Sequence, residues 1–452
     1  MCADTCKDAQ RKAIMGRREA LCKQFLLLCN INPADRPIRL DYLSEQGLKQ
    51  SSLALGPADS AHYLGLKKQL RGCDRSAVPT GRRTRRVGAN HRRYNRRSIN
   101  YRPQAMPATM ILTGDVNLMN VTDPDVPFKR VADEFRTTDV VFSNLECCLY
   151  HPPGGHSVDT EGFFADPLAG GDTLKRAGIH AVGIANNVNY GEAAIRSSIA
   201  RLDELDIPHT GAGANRAAAR APVVLNRNGV RYGFLQRTSV YWPTNHEAAE
   251  NAPGVAVIRG HTAYQLPLHK TRPEIPPANR PGLPPVIITW ADAKYLQQYK
   301  EDVTALRSQC DILVASCHWG LHQDVLDYMP EIAHAAIDAG ADIVIGHGPH
   351  YSLPVEAYKG KPIYYGLGSF SFHTGHGGRK HGDWVGMMAR VRVDGKTIKH
   401  ATFQFVRHND ANESVLCALT NEQATLEDIT ARSAKFGSKL KVEGDQVSIA
   451  LS

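Results

Sequence analysis

The chain has 452 residues, of which 42% are hydrophobic, and a formal net charge of +9. This length allows one large domain or two ordinary ones, and no apolar run approaches the ~20 residues that a membrane span needs. The charge is uneven, because residues 1–105 hold 22 Lys and Arg against 8 Asp and Glu, whereas residues 106–452 hold 32 against 37. Nucleic-acid binding is therefore an option only for the first segment.

The compartment is predicted to be the cytoplasm. The ten cysteines form no Cys-x-x-Cys pair, and no apolar run near the start is followed by a cleavage pattern typical of export. Reduced thiols in a cytoplasm are the default for such a chain.

Residues 1–105 are predicted to be a basic, disordered extension. A helix is compatible with the spacing over Arg11–Leu28, but from Arg71 to Arg102 eleven arginines stand against one acid, Asp74. This run has no apolar face to bury. It could bind RNA, DNA or another anionic surface, be a solvated tail, or result from translation that begins too early, since Met106 lies just before the first strand.

From residue 106 onward, β-branched runs alternate with amphipathic segments, which indicates an α/β layered sheet. Strands are predicted at Thr109–Asp115, Asp139–Glu146, His180–Asn187, Val230–Leu235, Pro285–Trp290, Asp311–Gly320, Ala341–Ile345, Pro362–Tyr365, Val385–Val393 and Thr397–Arg407. Helices are predicted at Val126–Arg136, Pro167–Ala177, Glu192–Leu205, Gln297–Arg307 and Pro330–Ala339, and the Pro-rich segment Leu266–Pro285 is predicted to be a surface loop. The folded domain is assigned to residues 106–410, and residues 411–452 to a C-terminal tail with a short helix.

Five of these strands end in residues that bind metals or transfer protons. In chain order they are Asp115 with Asn117, Asn144 with Glu146, Asn186 with Asn187, His318, and His347 with His350. Each alone is more often a turn, a cap or a hydrogen-bonded core residue. Because the carboxyl ends of parallel strands meet at one edge of a sheet, we expect these side chains to cluster there.

The chemistry that suits this cluster is hydrolysis assisted by two metal ions. Carboxylates neutralise divalent ions, while imidazoles and amide oxygens complete their shells without adding charge. The ions lower the pKa of a shared water and hold the group that is attacked. A donor set of nitrogen and oxygen without thiolates favours Mn²⁺, Fe or Zn²⁺, as one or two ions.

The strand-end motifs together resemble the CapA family of poly-gamma-glutamate capsule synthesis proteins. They are Gly114-Asp115, Asn144-Leu145-Glu146, Ala185-Asn186-Asn187, His318-Trp319-Gly320, Gly346-His347-Gly348-Pro349-His350 and Tyr365-Gly366-Leu367-Gly368-Ser369-Phe370. The resemblance implies a calcineurin-like metallophosphatase fold, a four-layer αββα sandwich in which two mixed sheets are flanked by helices and the metal ligands lie on strand-end loops.

The resemblance also implies a role for each residue. The implied metal ligands are Asp115, Glu146 (as the bridging carboxylate), Asn187, His318, His347 and His350, and the catalytic set is Asp115, Glu146, His347 and His350. From their positions at or after strand ends, and not from the resemblance, substrate binding is predicted for Asn144, Asn186, Arg237, His373 and His376. Arg237 could clamp a carboxylate or phosphate or form a surface salt bridge, and the two histidines belong to a Gly- and His-rich loop that could act as a lid or be a flexible surface loop without a function.

Two positions depart from the family pattern. The family has Asn-Asn-His where this chain has Asn186-Asn187-Val188, and Asn117 stands where phosphatases of this fold have a histidine. Loss of a general acid typically costs about 10²- to 10⁴-fold in rate. Simple phosphatase activity is therefore not the expected function.

The leading hypothesis is a metal-dependent hydrolase of amide or phosphoester bonds in capsule polymer biosynthesis, with an anionic polymer or peptide as substrate and capsule-synthesis proteins as possible partners. Two alternatives remain. One is a metal-independent, epimerase-like enzyme in which Asp115 and a histidine exchange protons, and the other is a non-catalytic accessory subunit. Binding of nucleic acid is confined to residues 1–105.

Overall fold

The computed structural model describes residues 108–153, 162–265, 286–320, 322–372 and 384–451. The basic extension, the Pro-rich loop Leu266–Pro285 and the two histidines His373 and His376 lie outside these ranges. None of the described helices is both long enough and apolar enough to span a bilayer.

The described chain forms strands that we number in chain order. They are β1 (Ala108–Asn117), β2 (Val140–Leu145), β3 (Cys148–Leu149), β4 (Phe164–Ala165), β5 (Ala181–Gly183), β6 (His209–Thr210), β7 (Ala212–Gly213), β8 (Val223–Arg227), β9 (Val230–Thr238), β10 (Gly254–Val255), β11 (Gly260–Gln265), β12 (Val286–Ala291), β13 (Ile312–His318), β14 (Ile343–His347), β15 (Val355–Tyr358), β16 (Lys361–Tyr364), β17 (Ser369–Phe372), β18 (Gly386–Asp394), β19 (Thr397–His408), β20 (Ser414–Leu416), β21 (Leu440–Glu443) and β22 (Gln446–Ile449).

The helices have local signals at their ends. They are α1 (Ala132–Thr137), α2 (Pro167–Ala177), α3 (Glu192–Glu204), α4 (Arg216–Arg220), α5 (Ala293–Arg307), α6 (Tyr328–Asp338) and α7 (Gln423–Ala434). In α2, the Asp166 carboxylate accepts a hydrogen bond from the backbone N–H of Ala169 at 2.7 Å, and Gly178 ends the helix with φ of 83°. An acceptor at the N-cap and a left-handed glycine after the last turn are the usual helix boundaries.

Two mixed sheets form the body of the protein. The larger has the strand order β21-β22-β19-β18-β1-β2-β5-β6, with β17 also paired to β1 and β20 to β19. The smaller has the order β15-β16-β14-β13-β9-β8. In the larger sheet β1, β2 and β5 run parallel, and in the smaller sheet β9, β13, β14 and β16 do.

The two sheets pack face to face and helices cover their outer faces. Phe142 of the larger sheet stacks on Phe234 of the smaller, with ring centroids 4.7 Å apart, inside the core between the sheets. Leu174 and Ile195 of α2 and α3 pack on the outer face of the larger sheet. Val303 of α5, with α6, packs on the outer face of the smaller one. This is the predicted αββα sandwich.

Several predicted boundaries are corrected by the structure. The helix predicted at Val126–Arg136 is wrong in its first half, because Pro127 disfavours a helical conformation at the residue before it, and turns occupy the chain up to Val131. Helix α5 begins earlier than predicted, since Asp292 caps it by accepting from the backbone N–H groups of Lys294 and Tyr295.

Residues 411–452 contain the predicted helix, α7, together with three strands. β22 pairs with β19, and Val447 and Ile449 are buried in the core between the sheets. These residues therefore extend the larger sheet, and the predicted boundary at residue 410 falls inside it.

Candidate metal centre

The carboxyl ends of β1, β2, β13 and β14 meet at one edge of the sandwich. Asp115 of β1 lies beside Asn144 of β2, and His318 of β13 lies beside His347 of β14. All four side chains are at most 1% exposed. Parallel pairing within each sheet, and face-to-face packing of the sheets, thus bring carboxylates from one sheet to imidazoles from the other.

Asp115 contacts two histidines, one with each carboxylate oxygen. Its Oδ1 is 3.3 Å from Nδ1 of His347, and its Oδ2 is 3.2 Å from Nδ1 of His350. The backbone N–H of Gly348 also donates to Oδ2 at 3.4 Å. The aspartate therefore joins the larger sheet to the loop that follows β14.

Glu146 faces two imidazoles at longer range. Its Oε1 lies 3.7 Å from Nε2 of His318 and 3.7 Å from Nε2 of His350. Asp115, Glu146 and His350 each offer a ligand atom, and these three atoms all lie within 4.8 Å of one another. A single divalent ion can be reached by all three side chains.

A network of amide side chains fixes the carboxylates. Nδ2 of Asn144 donates to Oδ1 of Asp115 at 2.9 Å and to Oε2 of Glu146 at 3.2 Å. Its own Oδ1 accepts from Nε2 of Gln236 at 3.0 Å. Nδ2 of Asn186 donates to a backbone carbonyl of β2 at 2.8 Å. Asn144 and Asn186, which were predicted to contact substrate, both hydrogen-bond to other groups of the protein, and Asn144 contacts both candidate carboxylate ligands.

Gln236 was missed by the sequence analysis, and its neighbour Arg237 was assigned in its place. Residues on a strand alternate between faces, so Gln236 points into the site while Arg237 points away from it. The Arg237 guanidinium is 2% exposed and pairs with Asp302 of α5 at 2.6 Å. Arg237 does not lie at this centre. The signal that could have identified Gln236 is its position two residues after Phe234, on the strand face that packs between the sheets.

Thr238 sets the tautomer of His318. The Thr238 hydroxyl donates its one proton to the carbonyl of Val240 at 2.7 Å, while Nδ1 of His318 lies 3.0 Å from the same oxygen. Nδ1 must therefore carry the proton and donate it. The lone pair of Nε2 is left facing Glu146, which is the form in which imidazole binds a metal.

Among the buried atoms without a hydrogen-bond partner in the described part of the chain, three belong to predicted metal ligands. They are Nε2 of His318, Nε2 of His347 and Oδ1 of Asn187. A buried polar atom left unpaired costs about 1–3 kcal/mol. A bound cation would give each of them a partner.

The pKa values of the two acids move in opposite directions. Burial raises the pKa of Asp115, but hydrogen bonds from His347 and His350 and their charges outweigh it, and the pKa ends well below its usual value. Burial, followed by the charge of Asp115, raises the pKa of Glu146 well above its usual value. Of the two acids, Asp115 therefore holds its negative charge more readily than Glu146 does.

The pKa values of the histidines differ as well. Burial lowers the pKa of His318 to about 4, although the charge of Asp115 acts in the opposite direction. Burial also lowers the pKa of His350, but the charges of Glu146 and Asp115 outweigh it, and the pKa lies above its usual value. His318 is thus neutral near pH 7, which is the form that binds a metal, and His350 holds its proton more readily than His318 does.

The loop after β14 has a backbone conformation that residues other than glycine rarely adopt. His350 has φ of 66° and Gly348 has φ of 104°, and the His350 ring stacks on Trp384 at 4.5 Å between centroids. A Cβ at Gly348 would lie 3.0 Å from Nε2 of His318. Strained residues of this kind persist where the surroundings hold them, often at functional sites.

The position of the absent family histidine is filled by an apolar side chain. Val188 is 6% exposed and belongs to the core on the outer face of the larger sheet. Asn117, at the other departure, accepts a hydrogen bond from the backbone N–H of Met119 at 2.9 Å. Neither a valine nor an asparagine side chain can act as a general acid in place of histidine.

The residues fit a divalent metal. Carboxylate and imidazole donors without a thiolate suit Mn²⁺, Fe or Zn²⁺, and His318 and His347, each with an unpaired Nε2, contact Glu146 and Asp115. Asp115, Glu146, His318, His347 and His350 are brought together, whereas His373 and His376 lie outside the described residues.

Comparison with known proteins identifies relatives in bacteria. A family model described as bacterial capsule synthesis protein PGA_cap matches residues 85–374, which is more than half of the chain. The capsule biosynthesis protein CapA of Bacillus anthracis is 25% identical over 280 residues, covering 59% of this chain and 60% of that protein. The PGA biosynthesis protein CapA of Bacillus subtilis is 26% identical, covering 56% and 58%.

A further relative is the probable polyglutamine synthesis accessory protein Rv0574c of Mycobacterium tuberculosis, 28% identical over 52% of this chain and 56% of that protein. The chain thus spans roughly three fifths of the length of these curated relatives. A solved structure described as a novel phosphatase of Mycoplasma pneumoniae covers 67% of this chain and 94% of that chain with 12% identity, but its TM-score of 0.38 is too low to support an assignment.

Proposed function

The chain belongs to the bacterial capsule synthesis protein (PGA_cap) family, and we propose that it acts in the metabolism of an anionic capsule polymer as a metal-dependent hydrolase. Poly-gamma-glutamate is the proposed polymer, and an amide or phosphoester bond is the proposed target. The CapA proteins of two Bacillus species, named for capsule and PGA biosynthesis, support the polymer.

One observation carries the proposal of a metal. Nε2 of His318, Nε2 of His347 and Oδ1 of Asn187 are buried without a hydrogen-bond partner among the described residues. The two imidazoles belong to side chains that contact Glu146 and Asp115 at 3.7 Å and 3.3 Å, and Asn187 follows β5 of the sheet that carries these acids. Unpaired lone pairs next to buried acids favour a cation at that point.

Six side chains are the proposed metal ligands. The ligands would be Asp115, Glu146, Asn187, His318, His347 and His350, holding one or two ions of Mn²⁺, Fe or Zn²⁺. A bound ion supplies Lewis acidity, which lowers the pKa of water and polarises the bond to be cleaved.

The chain's other residues prepare the site. Asn144 holds the two carboxylates at a fixed separation through its donated hydrogen bonds. Thr238 keeps the lone pair of His318 Nε2 directed at Glu146. Hydrogen bonds from neighbouring residues to metal ligands fix the orientation of the ligands and raise metal affinity.

The donor of a proton to the leaving group is a separate question, because Val188 replaces the family histidine. His373 and His376, predicted to contact substrate, are the proposed candidates. Both belong to a segment outside the described residues.

The test measures metal content and turnover on the full-length protein. Metal analysis should find stoichiometric Mn, Fe or Zn, and the protein should release products from gamma-linked glutamate oligomers or from phosphoesters. His347→Ala should lose both properties. His261→Ala is the matched control, because its imidazole pairs with Asp292 on the surface. Stoichiometric metal and turnover that both persist in His347→Ala would contradict the proposal.

A metal-independent enzyme is the second candidate, and one contact favours it. Asp115 touches His347 and His350 directly, so an aspartate–histidine pair is available for proton transfer. Turnover that persists after exhaustive chelation, and is lost in Asp115→Asn, would favour this candidate. Stoichiometric metal with no turnover on any substrate would indicate an accessory subunit instead.

A further inference from the structure

Two aromatic side chains beside the candidate centre remain exposed. Tyr190 and Trp242 are 40% and 41% exposed, which is high for large apolar side chains in the described part of this chain. Their ring centroids are 6.1 Å apart and their planes meet at 50°. They come from two different loops, after β5 and after β9, and together form one tilted pair of ring faces.

A buried histidine holds the two loops together. The backbone N–H of Trp242 donates to Nδ1 of His246 at 3.0 Å, so the proton of this imidazole is on Nε2, which lies 3.1 Å from the carbonyl of Asn189. The Tyr190 ring packs edge-on against the same imidazole at 5.1 Å. His246 is 1% exposed. The exposed rings are therefore fixed in place, although no apolar core requires them there.

One ring of the pair contacts a candidate ligand, and the loop that carries it contacts a second. The indole N–H of Trp242 donates to the backbone carbonyl of Asn187 at 2.9 Å. The backbone N–H of Ser239, three residues before Trp242, donates to the carbonyl of His318 at 2.8 Å. The loop after β9 is therefore fixed to the backbone of both Asn187 and His318.

The polar atoms of both rings are already engaged. The indole N–H is bonded to Asn187, and the Tyr190 hydroxyl donates to the carbonyl of Thr244 at 3.4 Å. The faces of the rings are what remains for a ligand. Aromatic faces pack well on methylene groups and on the planes of amides, and poorly on carboxylates.

We propose that Tyr190 and Trp242 form a substrate subsite that packs on the methylene and amide segments of a gamma-linked glutamate chain. In a gamma-linked chain two methylene groups lie in the main chain between successive amides, whereas in an alpha-linked chain they lie in the side chains. A rigid pair of ring faces therefore distinguishes the two linkages at equal charge. This inference rests on the proposed polymer function and adds the residues that determine its specificity.

The experiment measures binding of gamma-linked and alpha-linked hexaglutamate to the full-length protein by calorimetry in Mn²⁺. In Tyr190→Ala the Kd for the gamma-linked hexamer should rise about tenfold, as expected for loss of a contacting aromatic ring, while binding of the alpha-linked hexamer and metal content stay unchanged. Trp242→Phe keeps a ring face and should have a smaller effect than Trp242→Ala. Trp290→Ala is the matched control, because Trp290 is 44% exposed but lies on β12.

The possible outcomes distinguish failure of the subsite proposal from failure of the proposed polymer function. The subsite is wrong if Tyr190→Ala and Trp242→Ala bind the gamma-linked hexamer as the unaltered protein does, or if both hexamers weaken equally. It is also wrong if affinity is lost only in proportion to metal, or if a neutral hexasaccharide binds more tightly and depends on the same rings. If the unaltered protein holds metal but binds neither hexamer, the proposed polymer function fails first, and the subsite fails with it.

Discussion

At the scale of single residues, the centre depends on which atoms carry protons. The same burial that raises the pKa of Glu146 lowers the pKa of His318 to about 4, because it disfavours the charged form of both groups. Neighbouring charges and hydrogen bonds outweigh burial at Asp115 and His350. A divalent ion among these groups would favour the deprotonated form of each of them.

Replacement of Glu146 by glutamine should stabilise the metal-free protein at alkaline pH. Because the pKa of Glu146 is higher in the folded protein than in the unfolded chain, its stabilising contribution is complete below the unfolded pKa and is lost as the pH rises through the folded pKa. Glutamine does not titrate and can still accept from Asn144. We expect Glu146→Gln to raise the free energy of unfolding by about 1–3 kcal/mol at pH 8 in chelator, measured by urea denaturation.

The gain should shrink as the pH falls. Glu422→Gln is the matched control, because Glu422 is 4% exposed but paired with Arg407, and its replacement should lower stability. A metal-free Glu146→Gln protein that is less stable than its parent at pH 8 would show that the buried acid is not strained.

Removal of the Thr238 hydroxyl should weaken metal binding without removing a ligand. In Thr238→Val the proton on Nδ1 of His318 loses its acceptor, so the tautomer with a free Nε2 is no longer favoured. We expect a loss of about 10- to 100-fold in Mn²⁺ affinity, measured by calorimetry. Thr402→Val removes a buried hydroxyl that donates to Gln446, far from the centre, and should leave Mn²⁺ affinity unchanged. Equal effects of the two variants would mean that Thr238 acts only through stability.

At the scale of elements, the boundaries of a helix or strand can be predicted from the sequence where residues close in the chain determine them. Helix α2 was predicted with its observed bounds, because Asp166, Pro167 and Gly178 mark its ends. The strand predicted at His180–Asn187 is three residues long, since the side chain of Gln236 takes the N–H of Ala185 and the chain leaves the sheet there. That contact joins residues far apart in the sequence, so no local pattern contains it.

The sequence likewise did not show which side chain of a strand faces the centre. Gln236 and Arg237 are adjacent polar residues at the end of β9, and only packing against the other sheet decides which one meets the centre. The gathering of Asp115, Glu146, His318, His347 and His350 was predictable, because parallel strand ends meet at one edge. The hydrogen bonds of Asn144 and Asn186 were not predictable, because their hydrogen-bond partners depend on distances between strands.

The C-terminal hairpin formed by β21 and β22 tests whether residues 411–452 belong to the folded domain. Val447 is buried in the core between the sheets, while Val442, its partner across the hairpin, is 52% exposed. We expect Val447→Ala to lower the free energy of unfolding by about 2 kcal/mol and Val442→Ala by less than about 0.5 kcal/mol. Truncation after residue 410 should abolish cooperative unfolding. A truncated protein that unfolds as sharply as the full chain would show that the tail is dispensable.

At the scale of the whole molecule, the charge of the chain changes sign close to the point where the described residues begin. The excess of Lys and Arg lies in residues 1–105, and the described sandwich begins at residue 108. The family match nevertheless starts at residue 85, inside the basic segment. The net charge of +9 is therefore a poor guide to the partners of the centre, whose own residues are acids, amides and imidazoles.

The centre also joins the two sheets, so a bound metal should stabilise the whole molecule. Asp115 and Glu146 follow strands of the larger sheet, whereas His318 and His347 end strands of the smaller one. An ion that binds only the folded state at 100 times its Kd should raise the free energy of unfolding by about 2.7 kcal/mol. We expect this gain from Mn²⁺ in urea denaturation of the full chain, its reversal by chelator, and its absence in His347→Ala. Val447→Ala, which lies outside the centre, should start from lower stability and show the full gain. A gain of the same size in His347→Ala would place the ion elsewhere on the protein.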